Sequence, residues 1–257
     1  MKEFSKKWAI ILGGSSGLGL ASAKKLAMHG LNVCIVHRTR KQDLSDLEIQ
    51  LTTIKESGVA VKSFNNDALK NETIDLVLAT FQPKSVKLLL HSIAKGSVKP
   101  MLANDQPELT RDDFNITIHA MALSWYDWSK ALLIKDLFSE NARNLAFTSE
   151  GNRKTWPFYG AVSVAKASLE ALMRNMALEF AKKGITTNCI QAGVTQTRSF
   201  SMIPDNERLA EISKKKNPFK RLTQPDDIAN VVYLLCQNEA NWINGTVIKA
   251  DGGESLQ

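Results

Sequence analysis

Cysteine is scarce in this chain: Cys34, Cys189 and Cys236 stand alone, with no CxxC spacing and no histidine cluster beside them. That excludes a disulfide framework and a zinc site, and leaves the three thiols as small apolar residues suited to a core. Long apolar runs are missing too. The opening MKEFSKKWAIIL starts basic, but its apolar stretch stops at Gly13 and Gly14. That is too short for the hydrophobic region of a signal peptide, and no later run approaches the roughly 20 residues of a membrane span. A soluble, cytoplasmic protein is expected, with no membrane partner. No helix-turn-helix, RNP or zinc-finger pattern is found, so nucleic acid is not an expected partner. Internal repeats and low-complexity segments are also lacking.

What is present is a chain of 257 residues, 44% of them hydrophobic, enough to bury one large core. A single domain over residues 1–257 is expected. Seven short apolar runs alternate with longer amphipathic stretches: WAIIL (8–12), NVCIVH (32–37), VAVKSF (59–64), VKLLLH (86–91), NLAFT (144–148), ITTNCIQ (185–191) and TVIKA (246–250). Strands separated by helices imply an α/β fold with a parallel sheet of about seven strands and helices on both faces. A helix from about Ala161 to Lys183 ends at Gly184, a natural C-cap. Residues 198–217 are polar, contain Pro204 and end before Pro218, which reads as a mobile lid over a substrate. Net charge is +7, with basic clusters at Lys214, Lys215, Lys216, Lys220 and Arg221, and at Arg38, Arg40 and Lys41. Such clusters are solvated faces, or they recognise phosphates or an acidic carrier.

The first strand runs into Leu12-Gly13-Gly14-Ser15-Ser16-Gly17-Leu18-Gly19 and then directly into the helical ASAKKLAMHG. Glycines allow a tight turn and close backbone approach, and the following helix N-terminus favours a pyrophosphate. Gly13, Ser15, Ser16, Gly17, Leu18 and Gly19 are therefore candidate dinucleotide contacts in a doubly wound, Rossmann-type fold. Arg38 ends the second strand, where an acidic residue would meet the ribose hydroxyls of NAD. Arginine suits a 2′-phosphate, so NADPH is expected rather than NADH. After the third strand, Asp67 and Ala68 fall at the adenine edge; an Asp there is equally often a cap.

Tyr159 and Lys166 are expected on one helix, seven positions apart and hence on one face, about two turns or roughly 10 Å along the axis. An ammonium held near a phenol lowers the phenol pKa and makes it a proton donor or enolate stabiliser. The strand NLAFTS ends just upstream at Ser149, a second donor, a positioner or simply a strand end. His91 follows a strand and reads as a structural histidine. Trp125 and Trp128 sit three apart and read as core or subunit interface, or with Trp156 and Phe158 as the floor of an acyl pocket.

Taken together, the glycine turn, Ser149, the Tyr/Lys helix, the Ala192-Gly193-Val194-Thr195-Gln196-Thr197 turn and the closing Asp251-Gly252-Gly253 resemble the short-chain dehydrogenase/reductase family over essentially the whole chain. Most of that family place Tyr four before Lys, where this chain has Val162. Tyr159 is similar instead to the Y-x6-K spacing of the divergent enoyl-acyl-carrier-protein reductases, and His91-Ser92-Ile93-Ala94 and Ala192-Gly193 resemble their HSIA and AG segments. Ser149 in place of a second Tyr resembles their NADPH-dependent subclass. Met121 stands where ordinary members have an active-site Asn, and Leu12 where they have Thr.

The resemblance implies a homotetramer. It also implies that Lys166 holds the cofactor ribose, while Ser92, Ile93, Ala94, Ala192, Gly193, Val194, Thr195 and Thr197 line the nicotinamide and phosphates. The substrate expected is a 2-enoyl thioester, plausible on acyl carrier protein in fatty acid synthesis. Moving Tyr one helical turn, roughly 5 Å, further from Lys suits it, because charge develops on the thioester oxygen three bonds from the hydride target. A carbonyl or 3-oxoacyl thioester reductase is the alternative within the family. A non-catalytic NADPH sensor is the alternative outside it, against which the retained Tyr159 and Lys166 argue.

Overall fold

The computed structural model describes Phe4 and residues 6–257. In chain order the elements are β1 (Trp8–Leu12), α1 (Gly17–Met28), β2 (Asn32–His37), α2 (Leu44–Glu56), β3 (Val61–Asn65), α3 (Asn71–Leu78), β4 (Val86–His91), α4 (Arg111–Ile118), α5 (Ser124–Ile134), β5 (Phe138–Ser149), α6 (Gly160–Phe180), β6 (Thr186–Ala192), α7 (Asn206–Lys216), α8 (Pro225–Cys236) and β7 (Val247–Ala250). A π-helical turn, His119–Leu123, joins α4 to α5. The strands form one sheet in the order β3-β2-β1-β4-β5-β6-β7, every pairing parallel. All seven expected strands are present. β5 begins six residues earlier than its apolar run, because Phe138 pairs with Val86 before a register shift brings Arg143 opposite Leu88.

The near-continuous apolar runs follow from burial on both faces. Ile10 and Leu12 of β1 join a core with Trp125, Trp128, Leu169 and Met173, beneath α5 and α6. Their neighbours Ala9 and Ile11 join a second core with Leu26, Leu51, Ile228 and Val232, beneath α1, α2 and α8. Trp125 and Trp128 are fully buried core residues, so the reading of them as a pocket floor is wrong. Their indole N–H groups are taken up inside the core, Trp125 donating to Asn144 Oδ1 at 2.6 Å and Trp128 to the Ala68 carbonyl at 2.8 Å. The long helix closes through a 3-10 turn, Ala181–Lys183, onto Gly184 in the left-handed conformation (φ 73°). Among the described residues no helix is long and apolar enough to cross a membrane.

Arg143 of β5 is the largest buried cation, with only 1% of its surface exposed. Its guanidinium donates to the carbonyls of Leu235 and Gln237 at the end of α8, to the Asn141 carbonyl and to Asn241. It thereby supplies the donors that a helix C-terminus lacks. Arg143→Met orphans these acceptors at ~1–3 kcal/mol each and should lower the unfolding free energy by about 2–4 kcal/mol. The measurement is the urea midpoint at unchanged m value.

Candidate active site

The sheet order places β1 beside β4 although β2 and β3 lie on the other side of β1, so the chain winds outward in opposite directions from this pair. A crevice opens at the carboxyl ends of such strands. Here the turn after β1 meets the segment after β4: the Ser92 amide donates to the Leu12 carbonyl at 2.8 Å. Gly13 lies in the left-handed region (φ 82°), and a Cβ there would come within 2.6 Å of the Ser92 carbonyl oxygen. A side chain cannot be placed in that gap. The N-cap of α1, Ser16, makes no side-chain capping bond, so the helix start faces the cleft uncapped by its own side chain. Ser15, Ser16, Gly17 and Leu18 line that cleft, while Gly13, Ser92, Ile93, Asp67 and Ala68 line a smaller recess next to it. Gly19 lines neither; it packs beneath the turn, where a Cβ would meet the Gly13 carbonyl oxygen. A glycine-walled helix start of this kind fits a dinucleotide pyrophosphate.

At the end of β2 the outcome differs from expectation. Arg38 donates to Asp67 Oδ2 at 2.9 Å, so the two residues expected to meet a ribose phosphate and an adenine meet each other. Asp67 also accepts from the Leu69 amide at 3.1 Å, capping the local turn. That bond and Arg38 outweigh burial and hold its carboxyl below the usual carboxylate range. Arg38 and Thr39 still line the cleft, with Arg40 and Lys95 beside them.

The chemistry-bearing side chains come from the end of β5 and the start of α6. Three consecutive residues of β5 each meet a residue of that helix or of its N-cap. The Phe147 carbonyl accepts from Lys166 Nζ at 2.6 Å, Thr148 Oγ1 donates to Glu170 Oε1 at 2.8 Å, and Ser149 Oγ lies 3.5 Å from the Tyr159 hydroxyl. Tyr159 is not within the helix as expected. It is the N-cap, at φ −99° and ψ 6°, following Phe158 in the left-handed region, and its carbonyl accepts the first helical bond, from Ser163 at 2.8 Å.

The expected depression of the phenol pKa is not found either. Burial raises Tyr159 above its ordinary value, only partly offset by Ser149, because the Lys166 ammonium is engaged by a carbonyl rather than by the phenol. Burial instead lowers Lys166 to about 8, opposed by the Glu170 carboxylate. Cys189 lies nearby, but burial holds it a neutral thiol. His91 is structural, as read: Nε2 lies 2.9 Å from Ser124 Oγ, and burial together with the Lys166 charge lowers its pKa to about 3.

The cleft measures about 1190 Å³, above the ~300–1,000 Å³ of a typical single-ligand pocket. Tyr159, Lys166 and Ser149 lie on its wall with Ala94, Ala192, Gly193, Val194, Thr195 and Thr197, while Gly13, Asp67, Ala68, Ser92 and Ile93 stand in the recess beside it. Apolar side chains in its lining include Met121, Val162, Trp156, Phe200, Met202 and Ile203. Trp156 is thus the one expected tryptophan that faces the cleft. The segment 198–217 is no open loop: it folds into a 3-10 turn, Phe200–Met202, and α7, whose Leu209, Ile212 and Ser213 line the cleft. Sequence reasoning missed Glu170 and Glu254. The first was signalled by an acid four residues after Lys166 in an apolar stripe; the second has no local signal. Among the described residues no group of three or more His, Cys, Asp or Glu is gathered to hold a metal.

A doubly wound parallel sheet with a glycine turn at its switch point and a Tyr/Lys pair across the crevice defines a dinucleotide-dependent oxidoreductase. Over residues 13–255 the chain matches the family model described as Enoyl-(Acyl carrier protein) reductase, and it belongs to the short-chain dehydrogenase/reductase family. Dehydrogenase/reductase SDR family member 4 of Mus musculus is 26% identical over 257 residues, covering 97% of this chain and 87% of that one. The enoyl-[acyl-carrier-protein] reductase (NADH) of Aquifex aeolicus VF5 has the same fold, with TM-score 0.82 at 24% identity over 99% of this chain and 98% of that one. So has a short chain dehydrogenase of Burkholderia cenocepacia J2315 in complex with NADP, with TM-score 0.80 at 23% identity over 98% and 99%.

The depressed Lys166 pKa has a direct readout. A lysine whose folded pKa is lowered loses its charge as pH rises through about 8, well before an exposed lysine. Nitrogen-detected NMR of lysine-labelled protein should show one side chain titrating there and absent in Lys166→Met. Glu170→Gln removes the opposing carboxylate and should move that midpoint down by roughly one unit.

Proposed function

We propose that the protein is an NADPH-dependent reductase that adds hydride to the β-carbon of a 2-enoyl thioester, carried on acyl carrier protein or coenzyme A in fatty acid synthesis. The observation that carries this reading is the place of Tyr159 at the head of α6, seven residues before Lys166. Val162, at the position four before, is buried against Ala120 and Met121 and offers no proton.

Bound along the crevice, the dinucleotide supplies the hydride. Its pyrophosphate would be held by the turn Gly13, Ser15, Ser16, Gly17 and Leu18, its 2′-phosphate by Arg38 turned from Asp67, and its nicotinamide end by Ser92 to Ala94 and by Ala192 to Thr197. Lys166, charged below about pH 8, would hold the ribose hydroxyls and add positive field. Tyr159 is neutral at neutral pH, and burial disfavours its phenolate further, so it donates a hydrogen bond to the thioester oxygen as negative charge develops there. Ser149, 3.5 Å from that hydroxyl, is the second donor. The apolar side chains of the cleft lining take the acyl chain. Ile116 of α4 and Val164 and Leu178 of α6 are exposed apolar residues, which supports a homotetramer built on these helices.

The Ser149–Tyr159 contact also favours a second reading, reduction of a ketone or 3-oxoacyl thioester, since two donors side by side suit one carbonyl oxygen.

NADPH consumption by the purified protein with crotonyl and acetoacetyl thioesters, each on carrier protein and on coenzyme A, separates the two. Crotonyl should be turned over faster, and Tyr159→Phe should cut kcat by ~10²–10⁴-fold while NADPH affinity stays within about twofold. Turnover of acetoacetyl alone overturns the enoyl reading. For the cofactor, Arg38→Ala should raise KM for NADPH by roughly tenfold, the worth of one charge-assisted contact, and leave KM for NADH within about threefold. Equal losses for both cofactors would remove the 2′-phosphate role.

A further inference from the structure

The turn between β5 and α6 lays the backbone of Gly151 against the ring of Tyr159. A Cβ on Gly151 would stand 2.4 Å from Tyr159 Cε1, 2.8 Å from its Cδ1 and 3.4 Å from Ser149 Oγ. Carbon atoms not bonded to one another meet at about 3.5–4.0 Å. Not even a methyl group fits there while the ring keeps its place. The turn itself does not call for glycine: the φ of Gly151 is negative, and the residue is the middle of a 3-10 turn, Glu150–Asn152, which other residues adopt without strain. What calls for glycine is the space. Ser149, Gly151 and Tyr159 all line the cleft.

Both partners in this contact are held from elsewhere. Ser149, the last residue of β5, pairs with Ala192 of β6. The Glu150 carbonyl accepts from the Arg153 and Lys154 amides, each at 2.9 Å, and its carboxylate pairs with Lys154 Nζ at 2.6 Å. These bonds pin the turn that carries Gly151. On the ring side, the Tyr159 amide donates to the Trp156 carbonyl at 3.2 Å, and the side chain packs with the cluster of Ala120, Met121, Val162 and Ala165. A tyrosine ring is rigid, so any displacement at Cε1 is carried through to the hydroxyl. The bare backbone at Gly151 therefore governs whether that hydroxyl stays 3.5 Å from Ser149 Oγ.

We propose that Gly151 is a positioning residue: its missing side chain seats the Tyr159 ring and keeps the phenol hydroxyl beside Ser149. The effect on turnover rests on the reading of Tyr159 as donor to the substrate oxygen; the seat itself does not.

The test uses the full chain with Gly151→Ala, Tyr159→Ala and the double variant, unfolded in urea without substrate or cofactor. Gly151→Ala should lower the midpoint in the wild-type background and leave it unchanged in Tyr159→Ala, where the space is open. If Gly151→Ala alone does not fold, a folded double variant gives the same answer. A midpoint that falls equally in both backgrounds, or a double variant that stays unfolded, overturns the proposal, because the methyl then strains the turn and not the ring. The hydroxyl is read separately. The chain has three tyrosines, so carbon-13 at tyrosine Cζ gives three resonances, and the one lost in Tyr159→Phe belongs to Tyr159. That resonance should shift in Gly151→Ala in the same direction as in Ser149→Ala, since both lose the hydroxyl contact; an unmoved resonance also overturns the proposal. For whichever thioester the wild type reduces, Gly151→Ala should cut kcat by about 10²-fold, the cost of a misplaced reacting group, with KM for NADPH changed less than about twofold. Added to Tyr159→Phe it should cost nothing more, and a further loss of similar size there counts against the seat. If the protein reduces neither thioester, the midpoints and the resonance still decide the seat, and only the enoyl reading falls.

Discussion

The contact between the end of β5 and the start of α6 is the constraint on which the site depends. Lys166 reaches back to the Phe147 carbonyl, Glu170 receives Thr148, and Ser149 meets Tyr159, so one strand end and one helix are locked in register over three consecutive residues. The strand is central in the sheet and the helix covers the core built on Trp125 and Leu169, so neither can shift without disturbing buried packing. Tyr159, Lys166 and Ser149 are therefore placed by a well-packed part of the molecule.

Burial reverses the simple charge argument for the Tyr/Lys pair. An ammonium beside a phenol would stabilise phenolate, but here desolvation dominates at both groups: it raises the phenol and lowers the lysine. The result is a tyrosine that stays protonated and a lysine whose charge is maintained by a buried carboxylate one turn along. For a reaction that develops negative charge on oxygen, a neutral hydrogen-bond donor and a nearby cation are what is required.

The opposite wall of the cleft is built differently. At the end of α7, Asn217 donates to the Asp251 carbonyl in the turn after β7, and Glu254 just beyond that turn accepts from the Val194 amide in the loop after β6. Within α7 only Ser213 is buried, so this wall is held by hydrogen bonds more than by packing.

The sequence by itself determined the seven strands, the parallel sheet, the glycine turn and the position of Tyr159, Lys166 and Ser149, because these depend on local periodicity, on backbone freedom at Gly13 and on helical spacing. It showed less well that Tyr159 stands outside its helix, since the left-handed Phe158 that causes this carries no glycine to announce it. Only the tertiary structure decided that Arg38 pairs with Asp67, that Trp125 and Trp128 are core while Trp156 faces the cleft, and that Glu170 and Glu254 belong to the site. Each of those outcomes joins residues far apart in the chain or depends on how deeply a group is buried. Distance and desolvation are properties of the folded molecule, and they set the charge states with which the site works.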